Sequence, residues 1–245
     1  MAEAIPVIVP ANDPGLTSEM VEYPGKAGNV KAYVSRPKDG KNLGTVIVIH
    51  ENKGLVDHIK DVARRFAKDG FVAVAPDLLS RLGSTPSFKT EEDATGAIRK
   101  LTNDGVVEDL NSTVDYIKKL NFVNGRVGVV GYCWGGGQSL NFATKCKTLN
   151  AAVVYYGRNP DPLDAVQNIA CPVMGNYGGS DQNIMPGVPA LQEAMKKFGK
   201  SFDCKVYDGA QHAFNNNTNA GRYHPDAAKD AWARTVGLYK KNLAA

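Results

Sequence analysis

Cys133, Asp181 and His212 supply a thiol, a carboxylate and an imidazole, each standing just after an apolar, strand-like run. Such a set can move a proton off sulfur, attack a carbonyl carbon and return the proton to a leaving group. Cys133 lies in Gly131-Tyr132-Cys133-Trp134-Gly135, the G-x-S-x-G pattern with cysteine in the serine position. In that pattern the nucleophile rides a tight strand-to-helix turn. Flanking glycines leave room where a Cβ would strike the neighbouring strand and helix. The helix opening behind Cys133 is expected to aim its N-terminal partial positive charge at the sulfur and favour the thiolate. His212, in Gly209-Ala210-Gln211-His212-Ala213-Phe214, would accept the thiol proton, with Asp181 orienting its ring. Asp208 also lies near a strand end and is the rival acid.

Taken one at a time, these residues have plain structural readings. A lone cysteine among glycines is more often packing, and a lone histidine more often structural; their shared position after strands reverses both readings. Cys146, Cys171 and Cys204 read as small core residues. His58 and His224 read as surface residues at helix starts. There is no C-x-x-C pair or His-rich spacing, so zinc and thioredoxin-type chemistry are not expected. The glycine run lacks the G-x-G-x-x-G register of a dinucleotide loop, so no metal or organic cofactor is expected.

The elements that must position these groups follow from hydrophobic patterning. Residues 30–36 alternate as a strand, and 45–50 form a continuous β-branched run of the kind buried on both faces. Further strands are expected at 71–75, 126–130, 151–156, 172–177 and 202–207. Helices are expected at 58–68, 91–101, 106–120, 135–146, 190–198 and 226–243. This alternation predicts an α/β fold with a mainly parallel sheet covered by helices on both faces. In such sheets active groups sit outside the carboxyl ends of the strands, where Cys133, Asp181 and His212 fall. One domain over 1–245 is expected, with 1–28 as a loose leader.

The 245 residues are 43% hydrophobic and 22% charged, with a net charge of +4 and no long basic block, so neither nucleic acid nor an anionic membrane is an expected partner. No apolar run approaches the ~20 residues of a membrane helix. As given the chain reads as cytoplasmic; its Pro- and Ala-rich start is also compatible with a mature end left after export to the periplasm. The partner expected is a small ester or lactone, with the chain a monomer or small homo-oligomer.

The order nucleophile, acid, histidine is that of α/β-hydrolases. Within them the sequence resembles the dienelactone hydrolase (carboxymethylenebutenolidase) family. The resemblance runs through His50-Glu51-Asn52-Lys53-Gly54-Leu55, Ala75-Pro76-Asp77-Leu78, Gly131 to Gly136, Gly179-Ser180-Asp181 and the His212 segment. It implies the α/β-hydrolase fold and a fourth functional residue, Glu51, hydrogen-bonded to the resting thiol. It also implies an oxyanion hole from the backbone N–H groups of Asn52 and Trp134. By the same resemblance Arg81 matches an arginine that binds a substrate carboxylate. The second arginine the family places after its histidine is replaced by Asn215-Asn216-Asn217, unless Arg222 reaches in.

The nucleophile constrains the substrate independently. An unperturbed thiolate (pKa ~8.5) leaves a tetrahedral intermediate more easily than an alkoxide. Enol lactones and aryl esters, which depart as stabilised anions, therefore suit Cys133 better than alkyl esters or amides. The expected activity is hydrolysis of activated esters or enol lactones through an acyl-cysteine, with a broader carboxylesterase or thioesterase as the alternative. Outside the enzymes stand a catalytically idle binding module, and a redox thiol protein lacking a nearby resolving cysteine.

Overall fold

The computed structural model describes residues 7–244. Eight strands form one sheet: β1 (Leu16–Gly25), β2 (Gly28–Pro37), β3 (Leu43–Ile49), β4 (Val72–Pro76), β5 (Val123–Tyr132), β6 (Ala151–Tyr155), β7 (Val173–Gly178) and β8 (Phe202–Tyr207). Their order across the sheet is β1-β2-β4-β3-β5-β6-β7-β8. β1 and β2 pair antiparallel, as do β2 and β4; every later pairing is parallel. The helices are α1 (Asp57–Lys68), α2 (Glu91–Ile98), α3 (Asn103–Ile117), α4 (Trp134–Lys145), α5 (Val188–Lys197) and α6 (Pro225–Leu243). This is the α/β-hydrolase architecture.

The continuous apolar runs of the central strands are explained by two cores, one on each sheet face. Side chains alternate across a strand, so Ile47, Ile49 and Val129 pack with Leu110 and Val114 of α3 and Leu140 of α4. Val46, Val48 and Val130 face the other way, onto Ile59, Val62 and Phe66 of α1 and Val236 and Tyr239 of α6. No helix among the described residues is long and apolar enough to cross a membrane.

Two expectations require correction. The stretch to residue 28 is not a loose leader throughout: Leu16–Gly25 pairs with Gly28–Pro37 over its whole length. Its pattern is weak because it is an edge strand whose side chains stay half-exposed, with Tyr23 its one buried anchor, stacked on Tyr116 and hydrogen-bonded to Thr113. Ahead of it, the N–H of Val9 donates to Asp61 at 2.8 Å and its carbonyl accepts from Arg64. His58 does stand at a helix start but is buried, and burial pushes its pKa down to about 4.

Candidate active site

The site is assembled where β3, β5, β7 and β8 end. At the end of β5, Cys133 takes φ 56° and ψ −117°, a conformation that L-residues avoid. The surrounding glycines make that turn possible. A Cβ on Gly131 would overlap the Gly135 carbonyl, and one on Gly135 would overlap the carbonyls of Ile49 and His50. The turn therefore presses against β3 with backbone only, and α4 begins at once behind it.

Cys133, His212 and Asp181 are brought into line. His212 Nε2 lies 3.0 Å from Cys133 Sγ, and His212 Nδ1 lies 2.6 Å from Asp181 Oδ2. Asp181 is buried, and its backbone is turned by bonds from Asp181 N to Gly178 O and from Met185 N to Asp181 O. Asp208 is exposed and is not the residue on the imidazole. The ring of Tyr156 lies 5.1 Å from that of His212 and closes its inner side.

The electrostatics of the sulfur differ from the sequence expectation. The N–H of Trp134, at the head of α4, does lower the thiol pKa, but burial and then the charge of Glu51 outweigh it. Burial pushes the Cys133 thiol up to about 11, so the helix terminus alone does not make a thiolate here. Arg222 is exposed and lowers the thiol pKa from a distance without lining the cavity.

Glu51, Asn52 and Trp134 gather around the same turn. The thiol's hydrogen-bonding partner is His212; the Glu51 carboxylate instead accepts from Asn216 Nδ2 at 2.8 Å. Burial raises the Glu51 pKa, opposed by that bond and by Lys53 and Arg222. Asn52 and Trp134 line the cavity with Cys133 and His212. The Asn52 carbonyl accepts from Thr95 Oγ1 at 2.9 Å, which fixes the orientation of the peptide that follows it. Sequence reasoning did not assign a role to His50. Its Nδ1 donates to the Glu51 carbonyl at 2.7 Å, its Nε2 accepts from Leu78 N–H at 3.2 Å, and its ring stacks on Trp134. Fully buried and held below the ordinary imidazole pKa by desolvation, it is a neutral brace for the loop that carries Glu51 and Asn52. Its position at the strand end was visible; its partners, from a loop 28 residues away, were not.

Arg81 does not join this group. Its Nε and Nη2 fork onto Asp109 at 2.8 and 2.7 Å, and Nη2 also donates to the Gly105 carbonyl. Asp109 is buried on α3, so Arg81 serves as a tie between the loop after β4 and that helix. The structure does not place it where the resemblance expects it: its guanidinium faces Asp109 and Glu108, and it is not among the residues that line the catalytic cavity. Two other arginines, Arg99 and Arg158, line the catalytic cavity, whose volume is about 530 Å³, together with the polar side chains of Asn103, Gln138 and Asn141. Neither forms an ion pair among the described residues. Among the described residues no cluster of His, Cys, Asp and Glu is placed to hold a metal ion.

Comparison with known proteins agrees with this architecture. The model of the Dienelactone hydrolase family matches residues 30–243. A Saccharolobus solfataricus protein named "Putative carboxymethylenebutenolidase" is 32% identical over 89% of this chain and 96% of its own. One of the same name from Methylorubrum extorquens is 32% identical over 93% and 82%. A crystal structure from Klebsiella pneumoniae, described as a "Putative Dienelactone Hydrolase", superposes with a TM-score of 0.86 at 29% identity, over 92% of this chain and 99% of that one.

Proposed function

Because the chain belongs to the dienelactone hydrolase family and is a hydrolase of that kind, we propose that it cleaves activated esters and enol lactones through an acyl-cysteine formed on Cys133. The observation that carries this reading is the 3.0 Å approach of His212 Nε2 to a sulfur held at positive φ at the head of a helix. A thiol with a pKa of about 11 is ionised in only roughly one molecule in ten thousand at pH 7. Attack is therefore coupled to proton transfer onto His212 and does not start from a resting thiolate.

His212 Nε2 takes the thiol proton as the Sγ–C bond forms, and Asp181 stabilises the resulting imidazolium through Nδ1–H. The oxyanion is met by the backbone N–H groups of Asn52 and Trp134. Collapse of the tetrahedral intermediate breaks the bond to the ester oxygen, which leaves as an enolate or aryloxide and collects the proton from His212. Water then enters and gives its proton to the same nitrogen while its oxygen bonds to the acyl carbon. The C–S bond breaks, the carboxylic acid departs and Cys133 recovers its proton. Ionised Glu51 raises the thiol pKa and resists premature ionisation in the free enzyme.

Arg81's commitment to Asp109 favours a second reading within the same chemistry, a carboxylesterase or thioesterase of wider range that does not act on dienelactone. One comparison separates them: turnover of 4-nitrophenyl acetate and of cis- and trans-dienelactone by the native chain, Cys133→Ala and His212→Ala, with mass spectrometry of the quenched enzyme. An acyl adduct on the Cys133 peptide, absent in Cys133→Ala, is expected. Undiminished esterase activity in Cys133→Ala would sink the proposal.

A further inference from the structure

β8 closes one end of the sheet, and its outer edge is open. The Val173 N–H donates to the Ser201 carbonyl and the Gly179 N–H to the Tyr207 carbonyl, so the ladder to β7 uses the odd-numbered residues of β8. The N–H and C=O groups of Phe202, Cys204 and Val206 therefore point away from β7, toward the edge. Such an edge is a template for another strand unless something blunts it.

The side chains of β8 divide by face. Phe202 and Cys204 pack against the core under α5, and Val206, on the same side, is 37% exposed. A groove of about 450 Å³ opens there against Met195, Phe202 and Cys204, with Lys196 and Lys200 also on its lining. Asp203 and Lys205 point to the α6 side, where they pair with Arg234 and Asp230 at 2.7 and 2.8 Å. Those pairs leave the two side chains 63% and 44% exposed, so each charge keeps an open side.

This order of charges is self-complementary in one register. In a two-fold antiparallel pairing of β8 with β8 of a second copy, outward-facing residues must oppose outward-facing residues. Centring it on Asp203 sets carboxylate against carboxylate, and centring it on Lys205 sets ammonium against ammonium; like charges directly opposite destabilise a pair. Centring it on Phe202 or Val206 leaves half or more of the strand outside the ladder. Centring it on Cys204 sets Asp203 against the second copy's Lys205, and Lys205 against its Asp203. These pairs fall at the positions without ladder bonds, where opposed side chains stand closest. The same register sets Phe202 against the second copy's Val206, beside the groove.

We infer that the open edge of β8 is an interface between two copies of this chain, joined as one continuous sheet by an antiparallel β8–β8 ladder centred on Cys204. The strands of the two sheets then run in opposite directions. The two catalytic cavities, at the carboxyl ends of the strands, open at opposite ends of the dimer and stay free.

Sedimentation velocity tests this without requiring turnover, so the interface stands or falls apart from the acyl-cysteine mechanism. The native chain is expected to dimerise with a Kd on the order of 10 µM, as suits an interface at the small end of the range. Lys205→Glu and Asp203→Lys each set like charges face to face, and each should weaken the dimer at least about tenfold. An equimolar mixture of these two variants should restore it, since one chain then offers two carboxylates and the other two ammonium groups. Val206→Pro removes an N–H that faces the edge and not β7, and should abolish association. Far-UV circular dichroism checks that each variant is folded. Four results would each overturn the assignment: a native chain still monomeric at about 100 µM, tenfold above that Kd; undiminished dimers in both charge variants; folded charge variants whose mixture does not associate; or native association of folded Val206→Pro.

Discussion

Asn216 Nδ2 donates to Glu51 Oε2 at 2.8 Å across 165 residues of chain, joining the loop after the histidine to the loop before the oxyanion position. The side-chain partner of this buried carboxylate is therefore a neutral amide. The bond lowers the Glu51 pKa but does not overcome burial, which leaves it above 4.5.

That sign sets a pH dependence. A carboxyl whose folded pKa is raised holds its proton more tightly folded than unfolded. Its contribution to stability is complete below the unfolded value near 4.5 and is lost as pH rises through the raised folded value. Glu51→Gln, which keeps the oxygen that Asn216 donates to, should raise Tm at pH 8 by roughly 2–4 °C. At pH 4 it should change Tm little. Equal changes at both pH values, read by calorimetry, would contradict the burial argument.

Asp181 and Asp208 are separated by function. Replacing the acid of such a triad costs on the order of 10⁴ in kcat when the imidazole loses its orientation. Asp181→Asn should show a loss approaching that size on 4-nitrophenyl acetate, and exposed Asp208→Asn a loss within about twofold. Comparable losses in both would remove Asp181 from the role proposed for it.

Arg81→Ala should behave as a stability variant. It strands the buried carboxylate of Asp109, a change that costs about 3 kcal/mol when one partner of a buried pair is removed. Urea unfolding should record that loss, while kcat/KM on a carboxylate-bearing aryl ester stays within about threefold of native at a temperature where both chains are folded. A selective rise in KM for the acidic ester with unchanged stability would restore Arg81 to the substrate.

Gly131→Ala tests the clearance at the turn. The added methyl meets backbone atoms of Gly135 and Gly136, which cannot rotate away. A loss of at least about 3 kcal/mol is expected, larger than ordinary overpacking of a side-chain core, or failure to accumulate folded protein. Native-like stability together with native activity would mean that the turn tolerates a Cβ.

What was legible in the sequence is what depends on neighbours along the chain. The β-branched runs at 45–50 and 126–130, the glycines around Cys133, and the order of Cys133, Asp181 and His212 are local patterns, and local geometry constrains them strongly. The central strands could be read because burial on both faces leaves an unbroken apolar run. Edge strand β1 could not, because a half-exposed strand leaves only a weak one. Other features were decided only when distant segments met. His50 braces its loop through the N–H of Leu78, Arg81 is drawn to Asp109, and Asn216 reaches Glu51. The thiol's pKa belongs with these: the helix N-terminus is written in the sequence, but the burial that outweighs it is a property of everything packed around Cys133. Hydrogen bonds and desolvation depend on ångström distances between residues far apart in the chain. A linear pattern can nominate a residue for such a site but cannot say which way its side chain is committed.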